Sequence, residues 1–288
     1  MPAYHAGVDT FRHGEVDLAY DDFGPRDAEP LLFLDGLGSS RRQWDPFVPA
    51  LVDSHRVFTM DHRGHGDSSH APATSYTLTH YGADAAAFAE AVLERPAVLV
   101  GQSLGGAVAH FMACSRPELV RGVFLVDPPL LAHVDGGDGQ GVSGFFPGVR
   151  QALREAQAHS ATAEQYAAAL RSLPAPAGQA AIGDVLSDEV LLGMAEEQLR
   201  FDPEVFTPAI EGTLFHGLEA SRRISCAVTV LRADPDRMAE FTADDERRFR
   251  AVNPHADVHV VPGAGHVVHA DAPEEFTSRL AGFLRSLD

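Results

Sequence analysis

The stretch Ala97-Val98-Leu99-Val100-Gly101-Gln102-Ser103-Leu104-Gly105-Gly106 decides the fold. Its first four residues are apolar without alternation, as expected of a strand buried on both faces of a sheet. From Leu104 to Cys114 the residues are mostly small and apolar, which predicts a buried helix. Between strand and helix lies Gly-x-Ser-x-Gly. Glycines on either side of Ser103 permit a tight reversal that pushes the hydroxyl outward, and the helix N-terminus behind it favours negative charge there. The motif alone occurs by chance; the strand-turn-helix setting makes Ser103 a candidate nucleophile.

Similar apolar runs recur on both sides of this stretch. Strands are predicted at Val16–Tyr20, Leu31–Leu34, Val57–Met60, Val123–Val126, Ala227–Leu231 and Val258–Val261, in addition to Ala97–Val100. Helical patterns fall between them at Tyr81–Leu93, Leu104–Cys114 and Pro273–Leu287, where Phe276, Leu280, Phe283 and Leu284 share one face. A further helix is expected over Gln43–Leu51. This alternation implies an α/β fold with a mostly parallel central sheet flanked by helices. The rhythm breaks between about Leu131 and Arg223: a Gly-rich loop over His133–Gly148 precedes helical segments at Val149–Ala158, Ala163–Leu173 and Asp188–Arg200. The expected organisation is a core domain of residues 1–130 and 224–288 with residues 131–223 inserted as a helical cap.

A serine hydroxyl is a weak nucleophile until a base accepts its proton. His266 is the candidate base: it follows the last predicted strand, in Val261-Pro262-Gly263-Ala264-Gly265-His266, and precedes the C-terminal helix. The chain order of serine, acid, histidine is then met. His269 competes but lacks the Gly-x-Gly lead that places a side chain at a sharp turn. His62 with His65, and His255 with His259, have spacings that imitate metal ligands but lack matching partners, so no metal site is expected.

The 288 residues carry a formal charge of −19, from 22 basic and 41 acidic residues, which argues against nucleic acid and anionic membranes as partners. There is no 18-residue apolar run, and the segment Met1–Thr10 does not read as a signal peptide. Cys114 and Cys226 read as two buried thiols rather than a disulfide. The expectation is a soluble, cytoplasmic protein, for which a homodimer is left open.

The segments Leu31–Ser40, Asp61–Ser68, Gly101–Gly106 and Gly263–His269 together resemble the four signature blocks of the α/β-hydrolase family. They run from near residue 15 to the C-terminus and leave only the cap poorly matched. The resemblance implies an α/β-hydrolase fold and a serine hydrolase, and it is far less specific for substrate, because this family hosts many chemistries. It also implies an oxyanion hole, one N–H from the Gly36–Leu37 loop and the other from Leu104. Most relatives carry His-Gly where this chain has Asp35-Gly36-Leu37-Gly38; a backbone N–H survives that change. The Asp-Gly-Leu-Gly loop is similar to zearalenone-type lactone hydrolases, and Asp35 reads either as a loop acid that bonds the turn or as a participant in chemistry.

For the acid that holds His266, the resemblance offers two places. Lactone hydrolases of the zearalenone type carry it after the strand that here ends at Val126, as Glu rather than Asp, which favours Asp127. The wider family carries it after the strand Ala227–Leu231, where Asp236 and Asp234 are the alternatives. Asp61-x-Arg63-Gly64-x-Gly66-x-Ser68 reads as a structural loop in which Arg63 pairs with acids. Trp44 and Gln102 are assigned to the substrate pocket.

The function expected is hydrolysis of a carboxylic ester or lactone of a small to medium apolar substrate, through an acyl-enzyme and without cofactor. The alternatives are a carbon–carbon bond hydrolase acting on a diketone or ring-cleavage product, and a ligand receptor on a hydrolase scaffold. Asp in place of Ser103 would be needed for haloalkane dehalogenase or epoxide hydrolase chemistry.

Overall fold

The computed structural model describes residues 8–130, 145–174, 181–184, 186–216, 223–237 and 239–287. The strands are β1 (Asp9–His13), β2 (Val16–Phe23), β3 (Glu29–Leu34), β4 (His55–Met60), β5 (Ala97–Gln102), β6 (Val120–Val126), β7 (Ala227–Arg232) and β8 (Asp257–Val260). They form an eight-stranded sheet in the order β1-β2-β4-β3-β5-β6-β7-β8. The pairs β1–β2 and β2–β4 are antiparallel; every other pair is parallel. All seven predicted strands are present with slightly shifted ends. β1 was not anticipated, because it is mostly exposed and has no apolar run; it forms by edge pairing across the turn at Gly14.

The helices are α1 (Leu78–Phe88), α2 (Leu104–Ser115), α3 (Phe146–Ala158), α4 (Ala163–Arg171), α5 (Asp188–Gln198), α6 (Thr207–Ile210), α7 (Ala243–Val252), α8 (Val268–Asp271) and α9 (Pro273–Arg285). A π-helical turn over Ala89–Leu93 extends α1. The helix expected over Gln43–Leu51 is instead two 3-10 turns, Arg41–Trp44 and Val48–Ala50. Pro46 and Pro49 explain this, since each lacks an N–H and its ring clashes with the preceding turn. Among the described residues between β6 and β7 there are helices and no strand. Most of the expected Gly-rich loop falls in residues 131–144, outside the described residues.

Side chains alternate along the strands and so divide the core into two layers. Leu32 and Leu34 of β3, Leu99 of β5, and Val123 and Leu125 of β6 join α1, α2 and the helices between β6 and β7. Leu31 and Phe33, Val98 and Val100, and Phe124 and Val126 face the other way, against Trp44, Phe47 and the apolar stripe of α9. The Asp61–Ser68 loop is held to the core by polar contacts. Ser68 Oγ donates to Asp61 O at 2.8 Å, and Arg63 grips Asp84 on α1 with two bonds of 2.6 and 2.7 Å. Cys114 and Cys226 are half-buried and not joined in a disulfide.

Trp44 requires a correction. Its side chain is fully buried in the core, with ring centroids 5.2 Å from Phe33, 4.6 Å from His269 and 5.8 Å from Phe276. The 3-10 turn that carries it directs it into the sheet layer beneath α9. Trp44→Ala should therefore cost about 3–5 kcal/mol, lowering the melting temperature by roughly 6 °C or more. A thermal melt decides the matter: an unchanged melting temperature would contradict the packing role.

Candidate active site

β5 and β6 lie side by side with Gln102 opposite Val126. The next residue on each chain is Ser103 and Asp127, so sheet register brings these two to neighbouring strand ends. Ser103 N–H donates to Val126 O at 3.0 Å, and Asp127 N–H to Leu231 O at 2.7 Å. Ser103 has φ 51° and ψ −116°, a sparsely populated conformation for a residue with a Cβ, worth about 1–3 kcal/mol of strain. The surroundings enforce it. A Cβ on Gly105 would lie 2.2 Å from Leu34 O, and one on Gly101 would lie 2.2 Å from Gly105 O. Only hydrogens fit there, so α2 starts hard against β3 and β5 with its N-terminus behind Ser103.

His266 stands in the loop between β8 and α8. That loop is pinned by Gly263 N–H to Asp234 Oδ2 at 2.6 Å, Gly265 N–H to Asp271 Oδ2 at 2.7 Å, and Asp234 N–H to Ala264 O at 2.8 Å. Gln102 Nε2 donates to His266 O at 3.3 Å, tying the histidine loop to the residue before Ser103. Gln102, assigned to the pocket from sequence, is nearly fully buried, and its visible contact is this positioning bond.

The His266 ring is bonded through Nδ1 to Asp127 Oδ2 at 2.8 Å. The Asp127 side chain is fully buried and its backbone has φ 42°, a left-handed conformation that Asp tolerates better than most residues. Its carboxylate also accepts Ala233 N–H at 3.2 Å, Phe241 N–H at 3.2 Å and Glu240 N–H at 2.8 Å. Four donors converge on one carboxylate, an arrangement that suits the charged form. With Nδ1–H directed at Asp127, the tautomer leaves Nε2 as the acceptor. Burial pulls the imidazole pKa down, but the bond to Asp127, its charge and that of Glu240 together outweigh burial, and the pKa is raised above 6.5.

The other aspartates lie elsewhere. Asp234 binds backbone N–H groups of Gly263 and Asp236, and the first of these leads in lowering its pKa. Asp236 is exposed, and the next helix among the described residues, α7, is capped by Thr242. Neither aspartate bonds His266. His269 is fully inside the core against Trp44, pushed down to about 3 by burial and by His266; it is a neutral packing ring. His255 and His259 bond Cys226 O and Asp257.

On the other side of Ser103 lies the Gly36–Leu37 segment. A Cβ on Gly36 would meet Gln102 Oε1 at 2.2 Å and Ser103 Cβ at 3.4 Å, so this backbone runs directly beside the serine. Leu104 N–H opens α2 and, like every first-turn N–H, lacks an intrahelical acceptor. The helices between β6 and β7 reach this loop as well: Gln198 of α5 donates to Gly38 O at 2.9 Å.

Residues 29–184 match the family described as the alpha/beta hydrolase fold. The sn-1-specific diacylglycerol lipase ABHD11 of Danio rerio is 31% identical, over 97% of this chain and 86% of that protein. A non-heme chloroperoxidase of Streptomyces lividans is 38% identical over 42% of this chain and 45% of its own length. Among solved structures, the enol-lactonase from Burkholderia xenovorans LB400 aligns with TM-score 0.72 and 21% identity, covering 96% of this chain and all of the other (100%). At that identity the likeness speaks for the fold.

The Asp127 contact has a measurable consequence. A histidine-selective NMR titration should place the His266 pKa above 6.5 in the wild type and lower it in Asp127→Asn, since the raising bond and charge are removed. Asp236→Asn should leave it unmoved. A His266 titration that follows Asp236 rather than Asp127 would contradict this geometry.

Proposed function

The chain belongs to the alpha/beta hydrolase fold family, and within it we propose a serine hydrolase that cleaves a carboxylic ester or lactone of a small to medium apolar substrate. The observation that carries this reading is the 2.8 Å contact between His266 Nδ1 and Asp127, on the strand end next to Ser103. Acyl transfer requires a base oriented by a carboxylate and a serine within its reach, and sheet register sets Asp127 and Ser103 at neighbouring strand ends.

In the proposed reaction Ser103 Oγ attacks the carbonyl carbon while His266 Nε2 takes its proton. Asp127 stabilises the imidazolium that forms. The carbonyl oxygen becomes an oxyanion, held by Leu104 N–H and by N–H groups of the Gly36–Leu37 segment. His266 then protonates the leaving alkoxide; in a lactone that alcohol stays within the same molecule. Water, deprotonated by His266, attacks the acyl-enzyme and releases the acid and Ser103. The scheme calls on protein groups alone.

We further propose that residues 1–130 and 224–288 act as the catalytic core and residues 131–223 as a cap over the site. The Gln198 bond to Gly38 and the approach of Phe206 to the same glycine support a cap seated on the oxyanion loop. Leu37 and Phe206 belong to the same apolar cluster, which agrees with an apolar acyl or alcohol group. The ester chemistry named for the diacylglycerol lipase relative agrees with this reading.

An organophosphate probe should give one covalent adduct by intact mass, absent in Ser103→Ala. Short-chain esters and lactones should turn over faster than β-diketones, and Asp127→Asn should lower kcat by about 10⁴-fold. Equal labelling of Ser103→Ala would refute the nucleophile, and diketone cleavage outpacing every ester would refute the substrate class.

A further inference from the structure

Behind the Gly36–Leu37 segment lies a group of buried polar side chains that the proposed reaction does not use. Asp35, His62 and His65 are fully buried, as is Tyr81 on α1. The parallel pairing of β3 with β4 sets Leu34 beside Met60, so the two strands deliver Asp35 and His62 to one place. Asp35 Oδ1 lies 3.8 Å from His62 Nε2. Neither Asp35 carboxyl oxygen has a well-formed hydrogen bond, nor has either nitrogen of the His62 ring. The His62 ring stands 5.1 Å from that of Tyr81, whose hydroxyl is also unpartnered.

A second buried carboxyl nearby shows what a charged group in this region receives. Asp61 is bonded by the Arg41 guanidinium and by backbone N–H groups of Arg41 and Asp67, at 2.7 and 2.8 Å. Arg41 is also engaged with Asp21 and Asp67. The groups facing Asp35 are Asp61 and His62 beyond β4, Tyr81 on α1 and Glu197 on α5. None is a cation: the two carboxyls would repel a charged Asp35, and His62 is held neutral, its pKa pushed down to about 3, first by burial and then by His65. An ionised Asp35 would be met only by the backbone N–H groups of Asp35 itself and of His62, and these favour the charged form less than burial and Asp61 oppose it. Burial first, then Asp61, drive the Asp35 pKa well above the usual carboxylate range.

We infer that Asp35 is an uncharged carboxylic acid whose O–H is directed to His62 Nε2, and that this pair positions the adjoining Gly36 and Leu37 N–H groups. Asp35 is thus a positioning residue; its part in turnover rests on the oxyanion reading of that loop. The proposed bond requires the 3.8 Å separation to close to the ~2.7 Å of a hydroxyl donor. The pairing also accounts for a sequence in which an acid stands directly before the loop glycine and a histidine directly after Asp61.

Two measurements test the pair without reference to activity. An infrared difference spectrum of wild type minus Asp35→Asn at pH 7 should contain the C=O stretch of a protonated carboxylic acid. Stability supplies the second. A carboxyl whose folded pKa is raised gives its full stability below its unfolded value near ~3.9 and loses it as pH rises toward the folded value. The melting temperature of Asp35→Asn should therefore gain on wild type as pH increases above about 4. A carboxylate band in place of the acid band, or a difference in melting temperature that does not change with pH, would overturn the uncharged pair. For positioning, Asp35→Ala should lower kcat by about 10²-fold with little change in KM, and Asp35→Asn should recover most of it, because its amide can donate to His62. His62→Gln, which keeps an acceptor, serves if Asp35→Ala does not fold, and should retain more kcat than His62→Leu. Equal kcat in these pairs would overturn the positioning role. Wild-type protein inactive on every ester and lactone would instead count against the proposed function, leaving the infrared and stability results to judge the pair.

Discussion

Two loops depend on one buried carboxylate. Asp127 accepts hydrogen bonds from Ala233 beyond β7, from Glu240 and Phe241 ahead of α7, and from His266 beyond β8. A negative charge with no access to water needs those donors, and they must come from backbone that would otherwise be free to move. Its electrostatic requirement and the order of the site are thus the same constraint. A left-handed backbone at Asp127 and an unusual conformation at Ser103 are the conformational cost of bringing these two side chains out of adjacent strands at the same level.

The rest of the site follows from close approach. α2 can begin directly behind Ser103 because glycine at 101 and 105 removes the side chains that would hold it off. Gln102, between them, then reaches His266 O and lies against Gly36. One buried amide so joins the turn that carries Ser103, the histidine loop and the proposed oxyanion loop. The opposite layer of the sheet, with Trp44, Phe47, Phe276 and Phe283, supplies the rigid floor. His269 belongs to that floor although it lies only three residues from His266.

The buried carboxyls around the start of the loop after β4 are managed in two ways. Asp61 and Asp84 are matched with Arg41 and Arg63, which fixes the loop after β4 to the sheet and to α1. Asp35 has no such match, although the chain as a whole carries a charge of −19. With acids in excess of bases, arginines near the core are already engaged, and a further carboxyl there is more stable neutral than charged.

The parallel core was legible because buried strands need continuous apolar runs, and seven strands stood out for that reason. β1 did not, since edge pairing leaves no such mark, and around Trp44 the apolar spacing imitates one helix where Pro46 and Pro49 leave two 3-10 turns. Local glycine patterns single out Ser103 and His266 in the sequence, because they reflect backbone conformations that few other residues adopt. Which aspartate meets His266 was not: Asp127, Asp234 and Asp236 all follow strands, and only the pairing of β5 with β6 and the path of the loop after β8 put one of them within 2.8 Å. The same holds for Trp44 and Gln102. Whether a side chain faces a pocket or the core is set by the direction of its backbone relative to the packed layers, a long-range property that local sequence does not carry. The amino-acid sequence alone thus determined the layered α/β plan and pointed to Ser103 and His266 as the residues to examine. The tertiary structure decided their partner and the surroundings of Asp35, because both arise where chain segments distant in sequence converge.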